Sequence, residues 1–359
     1  MQIKNLKLQN WRNHGKLNFE FTGITVLVGS NAVGKTNFLE AIYYLSTGKS
    51  FRAKDENLIS WNEVFTRIEA DIENQQGKDN LLLVLENQSK IKKTVKIKEQ
   101  KVASSKLLGH LRSVIFTPEE IELISNLPEA RRRYLNMIIS QSDRTYAYSL
   151  VHFRRTLEQR NSLLKRIFNN EAKEAELEIW DGRFAEYSEQ MIKARANYVV
   201  EINKNLEKHY QRLSGTKQKL QLKYLPSVNP SDGWAGIVTK LAESRSKDVL
   251  ARVTTIGPHR DDFSFIMDGR NLLSFASRGE LRTVVLALKL AEVDFLEQVT
   301  GERPILLLDD VFSELDKDRR DFLSQIFTDQ QTVITTTDID HISKNILDQA
   351  NVIELKNGQ

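Results

Sequence analysis

Ile3, Leu6 and Leu8, and then Leu17, Phe19 and Phe21, lie in short runs where apolar and polar positions mostly alternate, the period of a strand with one dry face. Ile24-Thr25-Val26-Leu27-Val28 is nearly continuous and apolar, which predicts a strand buried on both faces of a sheet. From Leu81 to Lys101 two strands are predicted around the polar break Asn87-Gln88-Ser89, forming a hairpin whose second arm turns lysines to water. The N-terminal part of the chain is therefore β-rich. Between Arg131 and Leu213 the period changes to 3.6 in long charged stretches such as FRRTLEQRNSLLKRIF, with no proline and only Gly182 as a breaker. This predicts a helical block, and the turn-rich SGTKQKL and LPSVNPSDGW that follow read as its exit. From Ser274 onward the alternation returns: a helix over Glu280 to Gln298, a strand at Pro304 to Leu308, a helix after Asp316 and a strand at Thr332 to Thr336. The order is α/β, helical, α/β, with no repeat or low-complexity tract.

Composition narrows the function without identifying it. The 359 residues are 40% hydrophobic and 28% charged, as in globular chains, and include no cysteine, which excludes thiolate metal sites, disulfides and cysteine nucleophiles. No apolar run approaches the roughly 18 residues of a membrane span, and no targeting segment follows Met1, so a cytoplasmic protein without a membrane partner is expected. Lys and Arg total 52 against 48 Asp and Glu, a net charge of only +4, so any argument for nucleic acid must be local.

Gly29-Ser30-Asn31-Ala32-Val33-Gly34-Lys35-Thr36 fits the phosphate-loop pattern, directly after the buried strand and directly before the helical text Asn37-Phe38-Leu39-Glu40. Glycines let backbone N–H groups wrap a phosphate at a helix N-terminus, Lys35 reaches the β- and γ-phosphates, and the Thr36 hydroxyl can ligate Mg²⁺. Ile305-Leu306-Leu307-Leu308-Asp309-Asp310 supplies the second half of such a site, an apolar strand ending in two carboxylates. Asp309 is expected to hold the metal through water, and Asp310 to orient or deprotonate the attacking water. Lys35 and Asp309 stand near opposite ends of the chain, so something large is inserted between them. Within that gap Ser277-Arg278-Gly279-Glu280 opens the helix LRTVVLALKLAEVDFL, either as an anion site for a nucleotide held by a second subunit or as an ordinary helix cap.

The phosphate loop, the helical insertion, Ser277-Arg278-Gly279-Glu280, the double aspartate and Ser313-Glu314-Leu315-Asp316, in this order, resemble the ATP-binding cassette heads of SMC-like repair proteins. The resemblance is nearest to the bacterial RecF family and covers essentially the whole chain. It includes Asn10 to Asn13, PEEIELISNLPEARRRYLN from Pro118 to Asn136, GPHRDD from Gly257 to Asp262, and TTTD from Thr335 to Asp338. It implies an α/β ABC-type ATPase head with a mixed sheet built from residues 1–115 and 255–359, plus an inserted, mainly helical lobe over 116–254. ATP and Mg²⁺ are the implied cofactors. The implied nucleotide site comprises Gly29, Ser30, Asn31, Ala32, Val33, Gly34, Lys35, Thr36 and Asn37, with Arg12 and Asn13 beside it and Asp338 in the switch position. Ser277, Arg278 and Gly279 would meet the γ-phosphate of a partner copy, Thr36 and Asp309 would hold Mg²⁺, and Asp310 would be catalytic together with Lys35. Such a protein is expected to be an ATP-dependent homodimer that binds DNA at gaps or single-strand/duplex junctions. With RecR and RecO it would promote RecA loading as a weak, DNA-stimulated ATPase and a repair mediator rather than a nuclease.

Three residues depart from the family pattern: Glu280 where glutamine is common, Asn126 where glycine is usual and Asn136 where aspartate is usual. Asp310 is also one methylene shorter than the glutamate common in cassette ATPases, which predicts slow hydrolysis and a nucleotide that times dimerisation. For DNA, the stretch Arg131 to Arg166 carries nine Arg or Lys against Asp143 and Glu158. Arg131, Arg132 and Arg133, with Lys92 and Lys96 from the hairpin arm, are the candidate phosphate contacts, expected to read backbone rather than base sequence. Another SMC-like defence or repair head is the main alternative; a transporter subunit would need a membrane partner, and nothing marks a coupling surface, while a small-molecule kinase leaves the distance to Asp309 and the Ser277 helix without a purpose.

Overall fold

Strand β1 (Gln2–Trp11) buries Ile3, Leu6, Leu8 and Trp11, a spacing that strict alternation would not allow. Its pairing with β4 (Phe65–Asn74) explains this, because the register shifts between Ile3 and Asn5, and Asn10 turns to a left-handed φ of 52° just before Trp11. These strands belong to a computed structural model in which residues 1–125, 127–326 and 329–355 are described; Asn126 lies outside the described residues. With β2 (His14–Glu20), β5 (Gly77–Asn87), β6 (Ile91–Ile97) and β7 (Gln100–Val102) they form an antiparallel sheet in the order β2-β1-β4-β5-β6-β7. The expected hairpin is β5–β6, its dry face closed by Leu81, Leu83, Leu85 and Val95.

A second sheet joins distant parts of the chain. Strands β3 (Ile24–Val28), β8 (Ser113–Phe116), β12 (Ile305–Asp309), β13 (Thr332–Thr336) and β14 (Ala350–Glu354) run parallel in the order β14-β3-β13-β12-β8. Parallel and antiparallel strands are thus partitioned into separate sheets. β12 and β13 are buried along their whole length, which accounts for their lack of alternation. Helix α1 (Lys35–Thr47) packs on this sheet, while α8 (Lys317–Ile326) and α9 (Lys344–Leu347) lie between its later strands in sequence.

The chain divides into two compact units, Met1–Glu120 with Val285–Gln359, and Ile121–Val284. The second unit holds α2 (Glu122–Ser125), α3 (Pro128–Ser142), α4 (Arg144–Phe168), α5 (Leu177–Ser214) and α6 (Gly233–Ala251). It also holds a small antiparallel sheet of β9 (Leu220–Leu225), β10 (Asp262–Met267) and β11 (Arg270–Asn271) in the order β11-β10-β9. Residues 255–284, expected with the ATPase lobe, therefore fall with the helical unit, because β10 pairs along its length with β9. Helix α7 (Arg278–Thr300) starts and ends within two residues of its expected span. No helix among the described residues is long and apolar enough to cross a membrane.

Candidate functional site

Because β3, β13 and β12 are adjacent and parallel, their C-terminal ends bring the phosphate loop, Thr335 to Asp338, and Asp309-Asp310 to one edge of the sheet. Gly34 is the N-cap of α1 with φ 110°, and a Cβ there would meet the Asn13 amide at 2.7 Å and His14 Cε1 at 2.8 Å, so only glycine fits. Ala32 is also left-handed, at φ 66°. The resulting loop bends around the Lys35 ammonium, whose Nζ donates to the carbonyls of Gly29 at 2.7 Å and Ser30 at 2.9 Å. Burial holds Lys35 below the usual lysine range, opposed by the attraction of Asp310 and then Asp309.

Thr36 Oγ1 donates to Asp309 Oδ1 at 3.0 Å, so the two residues expected to share a cation are already in contact. Thr335 Oγ1 donates to the same carboxylate oxygen at 2.7 Å. Burial nonetheless pushes the Asp309 carboxyl above its ordinary range. Asp310 takes a left-handed backbone at φ 50°, fixed by its N–H donating to the Thr335 carbonyl at 3.1 Å. Its Oδ1 is buried without a hydrogen-bond partner among the described residues. An acceptor withdrawn from water and left unsatisfied is costly. Beside Thr36, Asp309 and Lys35 it fits a site completed by water and phosphate oxygens. No group of three or more His, Cys, Asp or Glu among the described residues could hold a metal alone.

A polar cluster braces the back of the loop. Arg12, itself left-handed at φ 55°, grips the buried Glu40 of α1 with Nε and Nη2, both at 2.8 Å. Ser50 Oγ at 2.5 Å and Arg52 Nη2 at 3.3 Å bind the same carboxylate. Asn37 Nδ2 donates to Asn13 Oδ1 at 2.6 Å, and Asn13 Nδ2 donates to the Val33 carbonyl at 3.1 Å. Arg12 and Asn13 thus touch the loop and its helix, and the guanidinium of Arg12 is committed to Glu40. Glu40, Ser50, Arg52 and Thr335 were not singled out from sequence; only Thr335, within TTTD, lay in a recognised motif. Asp338 follows β13 and is exposed, its Oδ1 accepting from Asp340 N at 2.9 Å.

In the other unit, Ser277 and Glu280 form a reciprocal capping box at the start of α7. The Glu280 carboxylate accepts from Ser277 N at 2.8 Å and Ser277 Oγ at 2.9 Å, while Glu280 N donates to Ser277 Oγ at 3.3 Å. Arg278 and Gly279 form the first turn behind it.

The basic residues separate sharply. Arg131, expected to face DNA, is buried and holds Asp262 through two bonds of 2.6 and 2.7 Å, so it is corrected to a structural residue. Arg132 donates to the Asp261 carbonyl at 3.0 Å, whereas Arg133 is exposed and only loosely paired with Glu129 at 3.6 Å. Arg160 is fully buried between Asp181 and Asp248, each 2.7 Å away. On the hairpin, Lys92 is exposed and pairs with Glu86 at 3.2 Å, and Lys96 is half-buried. Lys93 bonds Tyr44 OH at 2.7 Å and the Gly48 carbonyl, and burial pushes its ammonium down to about 8. GPHRDD proves to be a junction: Asp261 accepts from Arg195 at 2.9 Å and from Ser227 N at 2.8 Å. A Cβ on Gly257 (φ 113°) would come within 2.4 Å of Phe184. Asn136 keeps the acceptor role of the usual aspartate, taking bonds from Tyr146 OH at 2.6 Å and Arg195 Nη2 at 3.0 Å.

Over residues 2–358 the chain matches the family described as RecF/RecN/SMC N terminal domain. It is 36% identical to the DNA replication and repair protein RecF of Lactobacillus delbrueckii subsp. bulgaricus, over 100% of this chain and 97% of that one. It is equally 36% identical to the RecF of Clostridium perfringens, over 100% and 99%. Among solved structures it is similar to the recombination mediator protein RecF with ATP, in the RecFOR pathway, with TM-score 0.92, 33% identity and coverage of 99% of this chain and 96% of that one. An Smc head domain from Pyrococcus furiosus shares the fold at TM-score 0.55 and 17% identity, over 99% of this chain and 94% of that one.

Proposed function

The chain belongs to the RecF/RecN/SMC N-terminal domain family, within its RecF branch, and on that premise we propose that it is an ATP-gated, DNA-binding repair mediator. The observation that carries this reading is the 3.0 Å contact between Thr36 Oγ1 and Asp309 Oδ1, which joins the two halves of a nucleotide site from opposite ends of the chain. ATP binds with its triphosphate in the loop Gly29–Thr36, and Lys35 exchanges its bonds to the Gly29 and Ser30 carbonyls for phosphate oxygens. Thr36 and Asp309 hold Mg²⁺, which when bound neutralises charge on the β- and γ-phosphates. Asp310, with its unpartnered buried oxygen, orients the attacking water and accepts its proton. Its short side chain makes hydrolysis slow. Ser277 and Gly279 close over the γ-phosphate of a second copy, so ATP assembles a homodimer that binds DNA at gaps or junctions. There it acts with RecR and RecO to promote RecA loading in the cytoplasm, and DNA stimulates its weak ATPase.

Light scattering with no nucleotide, ADP and ATP–Mg²⁺, repeated for Lys35→Met and Ser277→Arg, tests the reading. A dimer is expected only with ATP, and in neither variant; a mass indifferent to ATP would overturn the mechanism. Asp310→Asn should still dimerise with ATP but hydrolyse it at least tenfold more slowly, as for removal of a general base. Wild-type turnover in that variant would remove Asp310 from its role.

A further inference from the structure

Helix α4 directs its apolar residues, among them Phe153, Leu163 and Leu164, into the helical unit. A different stripe of the same helix, Arg144, Tyr148, His152 and Arg155 at spacings of four, four and three, looks away from that core and forms one continuous face. Tyr148 is 57% exposed although it is a large aromatic residue. Its ring lies 4.1 Å from that of His152, which is in turn stacked on Tyr187 of α5 at 5.5 Å and 28° between planes. Arg144 and Arg155 are exposed, and neither has an ion-pair partner among the described residues. Other arginines of the same stretch behave differently, since Arg131 and Arg160 are buried on carboxylates. Tyr148 meets Tyr187 edge-on at 6.5 Å, so the outer face combines a three-ring cluster at the surface with guanidinium groups above and below it, about 16 Å apart along the helix axis.

We propose that this face of α4 and α5 binds unpaired bases of a DNA strand, with Tyr148 and Tyr187 as stacking platforms and Arg144 and Arg155 on the flanking phosphates. It rests on the DNA-binding reading above and specifies the surface and the strand form. Bases stack on exposed aromatic rings whatever their identity, and two cations beside such rings suit a polyanion with flat, apolar bases. A duplex offers only its phosphates to such a face, because its bases are already stacked on one another. Contact is consequently made at a single-stranded tail, not along paired DNA.

The test compares the full chain with ATP–Mg²⁺ on a blunt duplex and on the same duplex carrying a single-stranded tail. Tyr148→Ala and Tyr187→Ala should each weaken tailed-DNA binding roughly 5- to 100-fold, the range for loss of one base–aromatic stack, while blunt-duplex affinity and ATPase stay at wild-type values. Tyr148→Trp should restore tail binding, separating stacking from a folding defect. Arg144→Ala and Arg155→Ala should each reduce the slope of log affinity against log salt by about one. Unchanged tail binding in both tyrosine variants, or equal losses on tail and duplex, would overturn the inference while leaving DNA binding in place. A wild-type chain that retained neither DNA would instead overturn the broader reading.

Discussion

Glu40 shows how one side chain can organise the ground behind a phosphate loop. Burial alone would raise its pKa, but the bonds from Arg12 and Ser50 and the charge of Arg52 outweigh burial and hold it below the ordinary 4.5. Its charged form is therefore favoured by folding. The stability this adds is complete above about pH 4.5 and is lost as pH falls through the depressed folded value. The wild-type melting temperature should consequently fall more steeply on acidification than that of Glu40→Gln; parallel curves would contradict the assignment. Glu40→Ala leaves Arg12, only partly exposed, without its carboxylate and should cost about 2–4 kcal/mol, read by chemical denaturation. At Glu280 the argument concerns charge. Its bonds from Ser277 hold the carboxyl below the usual range and keep a negative charge where a partner's triphosphate would approach. Glutamine preserves the capping box without the charge. Glu280→Gln should lower the ATP concentration for half-maximal dimerisation roughly 2- to 5-fold, as for a charge near a helix terminus, and an unchanged or higher midpoint in light scattering would count against this.

Among elements, α4, α5 and α6 are tied by a buried guanidinium. Arg160 of α4 meets Asp181 of α5, Asp248 of α6 and the hydroxyl of Thr254 at 2.8 Å. Asp248→Ala would leave Arg160 with half its compensation, at a cost of about 3 kcal/mol, and hydrogen exchange in these three helices should accelerate. An apolar triple substitution at Arg160, Asp181 and Asp248 should be far better tolerated than this single truncation. The helices were legible in the chain because their 3.6 period is long and unbroken by proline. Strand β9 was not legible: LQLKYL is short, sits between turn-rich stretches and becomes a strand because β10 lies beside it. The spacing of Ile3, Leu6 and Leu8 was readable as a strand, but the bulge that reconciles it with one face needed β4 as partner.

For the whole molecule, the order of the motifs already implied that the nucleotide site is assembled from chain ends far apart in sequence, and β3, β13 and β12 are indeed neighbours. The phosphate loop was the easiest part to read. It is contiguous, and its glycines, lysine and threonine act through local backbone geometry. The Arg12–Glu40 brace was harder, since nothing local tells that a glutamate of α1 will be buried against an arginine in the turn after β1.

The class of fold, the succession of strand, loop and helix around Gly29–Thr36, and the apolar strand ending in Asp309 and Asp310 were readable along the chain, because each is encoded in a continuous segment with its own period or turn chemistry. Which charges are structural and which stay exposed depends instead on contacts between elements distant in the chain. Arg131 and Arg160 look no different in sequence from Arg144 and Arg155, yet the first two are buried on Asp262, Asp181 and Asp248 and the last two are exposed. A buried charge must find its counterion within a few ångströms, and here that counterion comes from another element of the fold.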